Sequence, residues 1–242
     1  MCSLSLIRSA NGGLRVVMNR DEQRSREAEG LPYVRNDGHG PAALLTRDGR
    51  SGGAWVGVNA GGLVAALLNH TPLSGPGSGQ RSRGDIVPAL LRHQRRSDAT
   101  AQVASYATSS YAPWSLVLID ANGQQSWRWN GSQLVPHPLP DPWCSSGLGD
   151  HLVDGPRRAL WHSMAAHHGG MDASSQDRWH HSRDGNDPSA WVLMARDDAR
   201  TVSITTIEVS AEGGVSLSHQ PCDVHGGLLP SHTIAEPGPR PG

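Results

Sequence analysis

Cys2-Ser3-Leu4-Ser5-Leu6-Ile7-Arg8, then Asn11-Gly12-Gly13, then Leu14-Arg15-Val16-Val17-Met18-Asn19-Arg20-Asp21-Glu22 carries the clearest structural pattern of the chain. Residues 3 to 8 alternate polar and apolar at period 2, the Asn-Gly-Gly run supplies turn residues that tolerate positive φ, and residues 14 to 18 resume as a second strand. The pattern predicts a hairpin that begins at a thiol. A Cys directly after the initiator Met is small enough for methionine removal, which leaves Cys2 with its own α-amine. With a thiol near pKa ~8.5 and an α-amine near ~7.7–8.0, the amine can take the thiol proton near neutrality without a histidine. Taken alone, Cys2 reads equally as a buried structural thiol.

Further along, segments 42–46, 54–58 and 63–68 read as strands, the last two joined by Asn59-Ala60-Gly61-Gly62. Residues 23–40 are polar and rich in Gly and Arg, and residues 71–80, rich in Gly, Ser and Pro, are expected as a loop. Asp85 is positioned to cap a helix carrying Pro88 in its first turn and running to His93. A second short helix is expected over 98–106 and a third over 156–167, with Pro156 early in its first turn. Segments 115–120, 125–129 and 133–135 form a meander with turns at Asn122-Gly123 and Asn130-Gly131, and 201–209 with 215–219 form a closing hairpin. Strands, helices, then strands again predict an α+β fold of antiparallel sheets with helices packed outside. Residues 172–188 are expected as a surface loop. Residues 1–225 are expected to form one domain, and Gly226 to Gly242, rich in Gly and Pro, a disordered tail.

At 242 residues the chain is long enough for one substantial core. Its formal net charge of −1 gives no electrostatic case for nucleic acid or a membrane surface, so neither partner is expected. Nothing in the first residues resembles a signal peptide, and no apolar run reaches the ~18 residues of a membrane helix, so a cytoplasmic location without an integral membrane segment is expected. Three cysteines (Cys2, Cys144 and Cys222), widely spaced and without CxxC, indicate neither a disulfide framework nor a zinc site. Cys144 and Cys222 read as structural. His162, His167, His168, His180 and His181 lack metal-ligand spacing and read as a solvated polar face; no metal or cofactor is expected. The absence of Lys and Phe reads as the codon bias of a GC-rich genome.

Cys2, the run Asn19-Arg20-Asp21-Glu22, Gly52-Gly53-Ala54-Trp55-Val56-Gly57-Val58-Asn59, Leu68-Asn69, Ser82-Arg83-Gly84 and Ser145-Ser146-Gly147-Leu148 resemble the NRDE family, also called transport and Golgi organisation 2. That family in turn resembles the N-terminal nucleophile (Ntn) hydrolases of the penicillin V acylase and bile salt hydrolase branch. The resemblance implies an αββα four-layer sandwich whose first hairpin lines the cleft. It implies Cys2 as nucleophile, its α-amine as base, Asp21 as the carboxylate orienting that amine, and Asn69 as a donor to the oxyanion. Without Cys2 at its offset, Asp21 would read as a turn or cap carboxylate. Bile salt hydrolases carry an Arg at the place of Met18; Arg20, two residues on and on the same strand face, is expected to reach that pocket. Asn19, Trp55 and Arg83 complete the expected substrate-binding set, with Arg83 read either as a helix-start residue or as an anion contact at the cleft mouth. Glu22 reads as a structural partner. The second Asn of those hydrolases is missing near Ser145-Ser146-Gly147, and their late Arg has only Arg196 or Arg200 as candidates. Two functions follow from the resemblance: an amidohydrolase or acyltransferase working through an S-acyl Cys2 on a small-molecule amide or thioester, or a non-catalytic carrier for a hydrophobic small molecule such as haem or acyl-CoA.

Overall fold

A computed structural model describes residues 2–72, 79–137 and 142–236. The opening hairpin is present as β1 (Cys2–Arg8) and β2 (Leu14–Gln23), with Gly12 in the left-handed region at φ 92°. Next come β3 (Gly30–Arg35), β4 (Ala43–Arg47), β5 (Val56–Asn59) and β6 (Val64–Asn69), then α1 (Ile86–Leu90) and α2 (Arg96–Gln102). The meander is β7 (Trp114–Asp120), β8 (Gly123–Trp129) and β9 (Leu134–Pro136), followed by β10 (Trp143–Ser145), α3 (His151–His168), α4 (Ala173–His180), β11 (Ala199–Val209), β12 (Val215–Pro221) and β13 (His232–Glu236).

Two antiparallel sheets result, one ordered β10-β1-β2-β11-β12-β13 and the other β3-β4-β5-β6-β7-β8-β9. Period-2 alternation divides each strand between two layers. Cys2, Leu4 and Leu6 of β1 join Val16 and Met18 of β2, Val58 of β5, Val64, Ala66 and Leu68 of β6 and Val117 of β7 in the core between the sheets. The outward residues Ala65, Leu67, Leu116 and Leu118 pack under Ile86, Val87 and Leu90 of α1 and Ala99 of α2. On the far side, α3 and α4 cover the first sheet through Val153, Trp161 and Trp179, with Ile7 against them. The four layers are therefore helix, sheet, sheet, helix, as expected. No helix among the described residues is long and apolar enough to cross a membrane.

Several elements depart from the sequence reading. Residues 30–35, within a polar segment given no element, pair as β3 with β4, and Trp143–Ser145 pairs with Cys2–Leu4 as β10. Helix α3 begins at His151, so Pro156 lies inside it rather than in its first turn. The expected loop over 172–188 contains α4, whose N-cap Asp172 accepts the Ser175 N–H at 2.7 Å. Its polar composition concealed a buried face of Ser175, Gln176, Trp179 and His180. The expected tail from Gly226 supplies β13, which pairs with β12 from His219↔His232 to Val215↔Glu236; residues 237–242 lie outside the described residues, as do 73–78 of the expected 71–80 loop.

His180 is fully buried, against the expected solvated face. Asn19 Nδ2 donates to the His180 and Val192 carbonyls, so Asn19 Oδ1, 2.7 Å from His180 Nδ1, accepts the ring proton. Nε2 then accepts from Ser5 Oγ at 2.7 Å, and Ser5 accepts from Gln176 Nε2 at 2.8 Å. Burial, with His181, Arg15 and Arg157 adding repulsion, holds the ring neutral well below the usual histidine range. The unfolded chain protonates this histidine near ~6.5 while the folded one does not, so stability falls as pH drops below that value, by up to ~1.4 kcal/mol per pH unit. Urea unfolding of wild type and His180→Gln between pH 7.5 and 5 should show a shallower decline in the variant; parallel declines would remove His180 as the cause.

Candidate active site

The β1–β2 register sets Cys2 opposite Arg20, and the β1–β10 register sets Cys2 opposite Ser145. Cys2 therefore ends its strand at the rim of the inter-sheet core. It lies on a cleft of about 680 Å³ that Arg20, Asp21, Trp55, Asn69 and Arg83 also line. Six of the seven expected site residues thus meet on one cleft. Asn19 does not: strand alternation turns it to the opposite face, where it is fully buried in the His180 network, so its place is structural rather than substrate-binding.

Burial pushes the Cys2 thiol above its ordinary value, and the Asp21 charge adds to this, against the pull of Arg20 and of the Asp21 backbone N–H. The thiol is accordingly protonated near neutrality and needs a base. The Cys2 backbone nitrogen donates to Ser145 Oγ at 3.0 Å. Burial likewise raises Asp21, opposed by Arg157 and by the Thr201 hydroxyl, which donates to Oδ1 at 2.6 Å. Arg157 of α3 stands 3.7 Å from Asp21 Oδ2 and donates to Ser3 Oγ at 2.8 Å, both side chains of the ion pair being 1% exposed. Neither Arg196 nor Arg200 takes this place: Arg196 pairs with Asp198, and Arg200 donates to the Thr201 and Cys222 carbonyls.

Arg20 is buried among three carboxylates, Glu29 at 2.7 Å, Asp48 at 2.6 Å and Glu22 at 3.1 Å, and its guanidinium lies 4.5 Å from the centre of the Trp55 ring. Burial opposes its charge, yet Glu29, Glu22, Cys2 and Asp48 hold it above the usual arginine value. Glu22 acts as the structural partner expected of it. Trp55 is buried, and its Nε1–H finds no acceptor among the described residues.

Asn69 closes β6 opposite Trp114, facing the cleft, and its carboxamide has no hydrogen-bond partner among the described residues. The following residue is clamped: His70 Nδ1 lies 2.7 Å from Asp150 Oδ2, and Asp150 Oδ1 accepts the Ser146 N–H at 2.9 Å. The Leu68-Asn69 and Ser145-Ser146 motifs are therefore joined, which fixes where Asn69 stands relative to Cys2. Arg83 is held by one bond, Nη1 to the Pro113 carbonyl at 2.8 Å.

Cys144 and Cys222 are also buried, and burial pushes their thiols to about 12 and about 11, as befits structural residues. Among the described residues no group of three His, Cys, Asp or Glu side chains is placed to hold a metal ion.

A family model described as Transport and Golgi organisation 2 matches residues 1–186. The chain belongs to that family. No curated protein matches the sequence. Solved structures with a similar fold include an N-acylethanolamine-hydrolyzing acid amidase (NAAA) ortholog from Caenorhabditis elegans, at TM-score 0.57 and 14% identity over 86% of this chain and 92% of that one. Penicillin V acylase from Agrobacterium tumefaciens gives 0.53 and 13% over 89% and 82%, and a conjugated bile acid hydrolase from Clostridium perfringens gives 0.51 and 11% over 98% and 92%. The fold is that of the Ntn hydrolases.

Arg157, Thr201 and Ser145 escaped the sequence reading as site residues. Arg157 stands beside Arg158 in an ordinary polar helix, and only the α3 docking distinguishes the buried guanidinium from its half-buried neighbour. Removing one partner of a buried ion pair costs roughly 3–5 kcal/mol. Arg157→Met should lose that much in urea unfolding, and adding Asp21→Asn should recover part of it. A loss below ~1 kcal/mol would mean that Asp21 does not depend on Arg157.

Proposed function

We propose that this protein is an Ntn-type amidohydrolase or acyltransferase for a small-molecule amide or thioester, with Cys2, exposed by removal of Met1, as nucleophile. The observation that carries the reading is that Cys2, Asp21 and Asn69 line one cleft, with no hydrogen bond to the Asn69 carboxamide among the described residues.

The Cys2 amine takes the thiol proton as Sγ bonds the acyl carbon, and the carbonyl electron pair moves onto oxygen, where Asn69 Nδ2 donates to it. Collapse breaks the C–N or C–S bond, and the ammonium returns the proton to the leaving group. Water, giving a proton to the same amine, then attacks the S-acyl carbon; collapse breaks the C–Sγ bond, the ammonium returns the proton to Sγ and the acid leaves, and another acceptor in place of water makes the reaction a transfer. Asp21, held by Thr201 and Arg157, orients the terminal amine, and Ser145 Oγ accepts one of its N–H bonds. Arg20 supplies positive potential beside the thiolate. The polar, arginine-rich cleft is a poor lining for the apolar ring of haem, which counts against a haem carrier.

With an acyl-donor panel, Cys2→Ala should abolish turnover. Asn69→Ala should lower kcat by about 10²–10³ with little change in KM, since the donor acts on charge that develops in the transition state. Unchanged turnover in Cys2→Ala would overturn the reading. Binding without turnover in wild type, and equal binding in Cys2→Ala, would return the carrier.

A further inference from the structure

The charges around the cleft are unevenly compensated. On the strand β2 wall every acid and base is engaged: Arg20 by Glu22, Glu29 and Asp48, Arg26 by Asp48 at 3.0 Å, and Asp21 by Arg157 from behind. The facing wall is different. Arg83 has no carboxylate partner among the described residues and spends one Nη1–H on Pro113. Arg50, on the same cleft, makes no ion pair among the described residues, and Arg81 reaches only the exposed Asp85, at 3.8 Å. Arg83 is half-buried and Arg50 exposed, and a guanidinium without an ion-pair partner at the wall of a cleft favours an anion there.

The backbone holds these arginines to one wall. The loop between β4 and β5 is closed by Asp48, whose Oδ1 accepts the Ser51 N–H at 2.8 Å and the Arg50 N–H at 3.2 Å. Its last glycine packs against the Arg83 segment: the Ala54 N–H donates to the Gly84 carbonyl at 3.0 Å, and a Cβ on Gly53 would stand 2.7 Å from Gly84 backbone atoms. Gly53 thus stands where only glycine fits, a Cβ on Gly84 would stand 3.0 Å from the Gly53 Cα, and the contact couples the Gly52-Gly53 and Ser82-Arg83-Gly84 motifs.

We propose that Arg83, with Arg50 on the coupled loop, forms an anion subsite, so that the substrate of this cleft is an acyl compound carrying a carboxylate or phosphate group apart from the carbonyl attacked. The proposal rests on the reading of the cleft as the substrate site. Burial draws Arg83 below the usual arginine value, with Glu22 and Cys2 opposing; a guanidinium is not deprotonated in proteins, so the charge persists across the working pH range.

Two reagents that differ in charge test this directly. The Cys2 alkylation rates of iodoacetate and iodoacetamide, each located by peptide mass, are compared at constant ionic strength with those of the urea-unfolded chain. Steering of an anion into such a cleft should raise the iodoacetate-to-iodoacetamide ratio by on the order of tenfold over the unfolded chain. Arg83→Gln and Arg50→Gln should each lower it, and Arg83→Lys should retain most of it. Pyrophosphate and succinate, added separately, should protect against iodoacetate, and whichever protects at the lower concentration identifies phosphate or carboxylate as the better fit. An iodoacetate preference equal to that of the unfolded chain, insensitive to Arg83→Gln, would overturn the subsite. Calorimetric titration of pyrophosphate and succinate into wild type and Arg83→Gln covers a Cys2 that neither reagent reaches. Saturable binding lost in the variant then upholds the subsite while the nucleophile reading fails, and no saturable binding of either anion overturns the subsite.

Discussion

Arg20 is a guanidinium buried at the open end of a hydrophobic core, and the surrounding architecture satisfies it. Glu29 comes from the segment before β3, Asp48 from the turn after β4, Glu22 from its own strand and Trp55 from the segment entering β5. An isolated buried charge costs several kcal/mol, so those groups are required together or not at all. Meeting that requirement draws the second sheet up to β2 and leaves a cleft where the two sheets part. Cys2, in register with Arg20, lies on that cleft.

The run Asn19-Arg20-Asp21-Glu22 is four residues with distinct tasks, divided by the alternation of one strand. Arg20 turns toward the inter-sheet cleft, where Glu22 meets it and also approaches Arg26. Asn19 turns to the helical face and ties α4 to the sheet through His180. Asp21 is held by Thr201 across β11, where the ladder shifts register between Thr201 and Ser203, and by Arg157 of α3. The end of the inter-sheet core is therefore braced from the outer helical layer, through the buried side chains of His180 and Arg157.

The parts of the fold written in local pattern were legible in the sequence. The opening hairpin, the β5–β6 turn and the β7–β9 meander follow from alternation and Gly-containing turns, and their observed bounds fall close to the expected ones. Strands β3, β10 and β13 carry no such pattern; they are short segments whose pairing is decided by partners distant in sequence, as in Cys2↔Ser145. Helix α4 was hidden because its buried face is made of Ser175, Gln176 and His180, polar residues that a hydrophobicity pattern assigns to solvent. Of the proposed site, Cys2, Asp21, Asn69, Arg20, Trp55 and Arg83 were picked out by family motifs. Asn19 was misassigned because a motif does not say which side of its strand a residue faces. Arg157 and Ser145 were missed because only tertiary contact gives them a role.

Cys2 is proposed to supply both nucleophile and base, and the intact mass of purified protein produced without an N-terminal tag tests this. The expected mass lacks Met1, with Cys2 as the first residue and its α-amine available to take the thiol proton. A mass that retains Met1 would contradict it, because a peptide nitrogen cannot accept that proton and no other base stands in its place among the groups identified at Cys2.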